Sequence, residues 1–156
     1  MVCQQYRNMK LSDHFSLWEF TKSQTAERNN IRNKPGEEEI RNLEELCEKV
    51  LEPVRRHYDR PFSPSSGYRS PALNMVLGSS RSSQHITGQA VDFEVPGIPN
   101  IEVARWIIDK LAYDQLILEF YREDEPHSGW IHCSYVGENN RNQARRFDGR
   151  TWSDLS

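Results

Sequence analysis

Residues 90–95, AVDFEV, alternate strictly: Val91, Phe93 and Val95 fall on one side of an extended segment, and Ala90, Asp92 and Glu94 on the other. Two later stretches share this period. In QLILEF (115–120), Leu116, Leu118 and Phe120 oppose Gln115, Ile117 and Glu119; in WIHCSY (130–135), Ile131, Cys133 and Tyr135 oppose Trp130, His132 and Ser134. A period of two leaves little latitude, because a slip of one residue would turn each apolar set to water and push Asp92, Glu119 and His132 into the core. Strands with one apolar face need a second layer to cover it.

Helices supply that layer. From Glu37 onward, Ile40, Leu43, Leu46, Cys47, Val50, Leu51 and Val54 recur at three- and four-residue spacing with charged residues between them. Pro53 predicts a kink or a helix boundary, not a new domain. IPNIEVARWIIDKL (98–111) repeats the amphipathic pattern, with Asn100 as expected N-cap and Val103, Trp106, Ile107 and Leu111 as the buried stripe. Ser16 and Glu19 have capping-box spacing for a short helix, and SPALNMVLG (70–78) reads as another, closed by Gly78. Residues 1–15 read as an N-terminal arm and 138–156 as a polar, irregular tail. The expected fold is one α+β domain over 1–156, an antiparallel sheet with helices on one face and its other face half polar.

At 156 residues the chain is long enough for one real core. A net charge of −3 provides no global basic footprint for nucleic acid or an anionic membrane, so neither is an expected partner. No apolar run approaches the roughly 20 residues of a membrane span. Cys3, Cys47 and Cys133 are an odd, widely spaced set, expected as free thiols in a reducing compartment. The first residues, MVCQQYRNMKLSDHF, show no signal-peptide h-region, so cytoplasmic synthesis without a signal peptide is expected.

The open sheet face is where chemistry is expected. Asp92, Glu119 and His132 fall on it, and the serine-rich loop SSRSSQ (79–84) delivers His85 beside the first strand. Two imidazoles and a carboxylate are a common zinc set that leaves a fourth position for water. Glu119 is the candidate to take and return the proton. Spacing alone leaves blander readings open: a lone histidine is more often packed or solvated, Arg69 is equally a surface arginine after a turn, and Trp130 can simply cover the sheet. His14, His57 and His127 are read as structural or solvated, and the C-terminal arginines as a solvated tail.

SSQHITGQAVDFEV (82–95) resembles the S-x-H-x-x-G-x-A-x-D signature of zinc D-alanyl-D-alanine carboxypeptidases and related L,D-type wall peptidases, whose fold is shared with the signalling domain of hedgehog proteins. GWIHCSY, YDQLILE and SSGYRS resemble further segments of that superfamily in the same order, over about residues 10–137, closest to a small single-domain group common in phages and bacteria. The resemblance implies His85, Asp92 and His132 as ligands of Zn2+, Arg69 as clamp for a peptide carboxylate, and Ser83 and Trp130 as substrate contacts. In one respect the chain departs from the pattern. Many relatives carry an acidic residue three before the last histidine, where this chain has Gly129, so the base is expected at Glu119. The implied function is a monomeric zinc peptidase hydrolysing peptidoglycan stem peptides, as carboxypeptidase or endolysin-like endopeptidase, reaching the wall after release or as part of a virion. The alternative is a non-catalytic zinc module of the hedgehog type.

Overall fold

A computed structural model describes residues 4–155. Five strands form one sheet: β1 (Ala90–Phe93), β2 (Gln115–Glu119), β3 (Trp130–Ser134), β4 (Gln143–Phe147) and β5 (Trp152–Asp154), in the order β1-β3-β2-β4-β5. The central ladders β1–β3 and β3–β2 are antiparallel, as the alternation predicts. In register, Asp92 faces His132, His132 faces Ile117, and Glu119 faces Trp130. The strand predicted over 90–95 ends two residues early, at Phe93, though Val95 is still buried.

The tail departs from expectation. Instead of irregular coil, β4 pairs with β2 in parallel and β5 pairs back on β4, so the sheet is mixed. QARRF and WSD carry no apolar alternation that would predict strands. Backbone pairing and Leu155, buried at the strand end, hold them in place.

Seven helices complete the described chain: α1 (Gln4–Arg7), α2 (Leu17–Thr21), α3 (Gln24–Arg28), α4 (Glu37–Leu46), α5 (Glu52–Tyr58), α6 (Pro71–Val76) and α7 (Asn100–Lys110). A π-helical turn, Cys47–Leu51, joins α4 to α5. The irregularity predicted at Pro53 therefore falls one turn earlier. There the wider turn absorbs the missing proline N–H donor, and the helix runs on to Tyr58. Val91, Phe93, Leu116, Leu118, Ile131 and Cys133 from the sheet pack with Leu43, Leu46, Val50, Val54, Val103 and Ile107 from α4, its continuation and α7. Each such side chain contributes about 1.5–3 kcal/mol on burial.

Within the expected N-terminal arm, Leu11 is buried and Phe15 is fully buried against Phe20 and Phe62. The predicted box at Ser16 forms, with Ser16 N–H donating to Glu19 Oε2 at 2.7 Å. Pro99, not Asn100, caps α7. Asn100 is instead the first helical residue, its amide donating to Glu94 and to the carbonyls of Ser128 and Gly129. Phe120 does not share the core face of β2. It lies just past the strand at φ 56° and is exposed. Cys47 and Cys133 are free and buried, while Cys3 lies outside the described residues. Among the described residues no helix is long and apolar enough to cross a membrane.

Candidate metal centre

His85 is aimed by backbone on both sides. Its Nδ1 lies 2.7 Å from the Gly67 carbonyl oxygen, which fixes the tautomer with the proton on Nδ1 and leaves the Nε2 lone pair pointing away. The Gly67 segment is held against α2, where a Cβ on residue 67 would lie 2.7 Å from the Phe20 carbonyl oxygen, so only glycine fits there. The Arg69 N–H donates to the His85 carbonyl at 3.1 Å, tying the serine-rich loop to the segment before α6.

Asp92 points from β1 toward the same spot. Its Oδ1 lies 3.0 Å from His132 Nδ1 and 3.4 Å from His85 Nε2, and its Oδ2 lies 3.5 Å from Arg69 Nη2. Burial alone would raise the Asp92 pKa. The interactions with His132 first, and with His85 second, outweigh burial and hold the carboxyl well below the usual carboxylate range. One donor atom from each of His85, Asp92 and His132 lies within 4.8 Å of the others. Ligands about 2.0–2.1 Å from a tetrahedral zinc stand roughly 3.3 Å apart, so the 3.0–3.4 Å spacings around Asp92 Oδ1 suit such an ion. The lone pair left on His85 is the second feature that fits.

The three side chains line a cleft of about 760 Å³ together with Arg69, Ser83, Glu119 and Trp130, so every residue singled out in the sequence meets there. Glu119 ends β2 on the open face. Burial raises its pKa first and the Asp92 carboxylate second, against the lowering effect of His132 and Arg69. Trp130 stacks on Phe120 with ring centroids 5.2 Å apart. Ser83 accepts from the His85 N–H at 3.3 Å. Arg69 is anchored by donating to Ser66 Oγ and Ser79 Oγ.

Gly129 explains the departure from the family pattern. Its φ is +69°, and a side chain there would run into the backbone of Glu119 and Phe120. No acidic residue can occupy that position in this backbone. Glu119 is the carboxylate that the same turn brings to the cleft.

Sequence reading did not single out Gln84, Arg141 and Trp152, which line this cleft, nor the buried Asp114 that binds the first two. Gln84 Nε2 donates to Asp114 Oδ2 at 2.9 Å, and Arg141 donates to both oxygens of Asp114 at 3.0 and 2.8 Å. Arg141 and Trp152 line the cleft from the tail. A buried carboxylate before a strand was the only available signal, and its partner lies 27 residues on. The other histidines lie elsewhere: His14 pairs with buried Glu52 at 2.7 Å, His57 stacks on Trp106, and His127 is exposed.

An α+β sheet with two imidazoles and a carboxylate facing a cleft is an architecture suited to hydrolysis, and the family match names that chemistry as peptide cleavage. A family model described as Peptidase M15 matches residues 13–134. The chain belongs to the peptidase M15 family. The matched span includes all the predicted site residues and ends at Ser134, before β4 and β5. Among curated proteins, none matches the chain significantly.

Proposed function

We propose that this protein is a zinc-dependent peptidase that cleaves peptidoglycan stem peptides. The observation that carries the reading is the convergence of His85, Asp92 and His132 at the floor of a cleft that also holds Glu119 and Arg69. His85 and His132 would each give a neutral ring nitrogen to the ion, and Asp92 one oxygen. When bound, zinc supplies Lewis-acid polarisation of a carbonyl and lowers the pKa of water to about 7.

The chain's own groups do the rest. Glu119 takes a proton from the attacking water and returns it to the leaving nitrogen, so a C–O bond forms, the C–N bond breaks, and an amine and a carboxylate leave. Its raised pKa suits it to hold that proton between the two transfers. Arg69, fixed by Ser66 and Ser79, presents a planar guanidinium to a peptide carboxylate. Ser83 and Trp130 border the path of the peptide. The resemblance to a small single-domain group common in phages and bacteria supports a lytic or virion-associated role on the bacterial wall as part of this reading.

The test combines metal analysis with digestion of a defined muropeptide, products identified by mass spectrometry. Stoichiometric zinc with a freed terminal D-alanine marks a carboxypeptidase, and a freed cross-linked or glycan-linked fragment an endopeptidase. Zinc with no turnover on any wall substrate would overturn the reading in favour of a binding module.

A further inference from the structure

Beyond the family match, Arg141 and Trp152 line the cleft, and Arg145 reaches its border through its contact with Trp152. β4 continues the sheet on the far side of β2, and its register places Gln143, Arg145 and Phe147 beside Gln115, Ile117 and Glu119 on the open face. One row across the sheet therefore reads Asp92, His132, Ile117, Arg145, Asp154. Arg145 stands two strand spacings from His132, about 10 Å. The tail is clamped in this position, since Arg141 is bound to buried Asp114, which also holds Gln84 next to His85.

The tail arginines are not equivalent. Arg141 is taken by Asp114, and Arg146 by Glu123 at 2.9 Å on the opposite face. Arg145 is half-buried, with its guanidinium 4.7 Å above the Trp152 ring, and no carboxylate of the described residues lies within ion-pairing distance. Asp154 is its register neighbour and is exposed, yet the guanidinium rests on the indole. A cation held over an aromatic face keeps its hydrogen-bonding edge open. Trp152 itself is braced by Phe147, with ring centroids 4.5 Å apart, and lines the same cleft as the metal-site residues.

We propose that β4 and β5 complete the substrate cleft, and that Arg145, seated on Trp152, binds a second carboxylate of an acidic peptide substrate. An extended peptide advances about 3.3–3.4 Å per residue, so that carboxylate lies roughly three residues from the scissile bond. Arg69 would hold one end of the peptide and Arg145 an acidic residue farther along. This rests on the peptidase reading for the direction of the peptide but not for the existence of the subsite.

The experiment uses two synthetic stem pentapeptides that differ in one group, a free carboxylate or a carboxamide on the second residue, with the wild-type zinc-loaded protein and Arg145→Gln. For the wild type, KM is expected about tenfold lower for the free carboxylate, with kcat changed less than about twofold. Arg145→Gln abolishes that difference by raising KM for the acidic peptide alone, and Arg145→Lys restores part of it. An equal effect on both peptides, or none on either, overturns the proposal. If the wild type cleaves neither peptide, the peptidase reading fails, and tryptophan fluorescence titration with the same pair decides the subsite. Preferential binding of the acidic peptide that Arg145→Gln removes supports it; equal binding overturns it.

Discussion

Asp92 and His132 are direct partners across the β1–β3 ladder, and their side chains meet on the open face with Oδ1 3.0 Å from Nδ1. The pairing puts two of the three donors under the control of strand register instead of loop conformation. Asp92→Asn is therefore expected to leave the sheet intact by circular dichroism while zinc affinity falls by more than the roughly 100-fold that loss of a mere supporting hydrogen bond costs. Metal analysis after equilibrium dialysis measures it, and an unchanged zinc content would remove Asp92 from the set.

Glu119→Gln keeps the shape of the residue at the end of β2 but removes its ability to accept a proton. Zinc content is expected to stay stoichiometric while kcat drops about 10²–10⁴-fold. Paired metal and turnover assays distinguish this from loss of the ion. Full activity in the variant would assign the proton transfer to another group.

Installing the acidic residue common among relatives at Gly129 is expected to damage the fold instead of supplying a second base. A side chain at φ +69°, against the backbone of Glu119 and Phe120, costs on the order of 1–3 kcal/mol or more. Urea unfolding of Gly129→Asp reads the loss, and in a Glu119→Gln background the substitution is expected to restore no activity.

Asp114 links stability to pH. The Arg141 hydrogen bonds, opposed by burial and aided by Gln84, lower its pKa from 3.8 to about 2. A carboxyl depressed in the fold stabilises it fully above the unfolded value, and that contribution disappears as pH falls from about 4 through about 2. Its size is about 1–2 kcal/mol, given that Arg141 is half exposed to screening water. The stability gap between wild type and Asp114→Asn, followed by denaturant unfolding at each pH, is expected to be constant near neutrality and to narrow across that window.

What could be read in advance followed the strength of the local pattern. The strands holding Glu119 and His132 alternate cleanly and form as expected. Asp92 stands out because a carboxylate between Val91 and Phe93 has few places to go. Helix α4 and its continuation were equally legible, but the position of the irregularity was not, since a π turn at 47–51 leaves no mark beyond the nearby proline. β4 and β5 escaped because QARRF and WSD draw their order from pairing with β2 and from Arg145 on Trp152, neither of which has a periodic signature. The Asp114–Arg141 clamp escaped for the same reason.

The parallel seat of β4 on β2 also bears on solubility. Without it, QLILE would form an open sheet margin with three consecutive apolar residues and unpaired backbone groups, a template for pairing with another chain. β4 covers that margin with two arginines, and the margin then presented is β5, three residues long and ending in Asp154. Removing residues 143–155 is therefore expected to produce aggregates built through β2, even where the helices and the donor set remain folded.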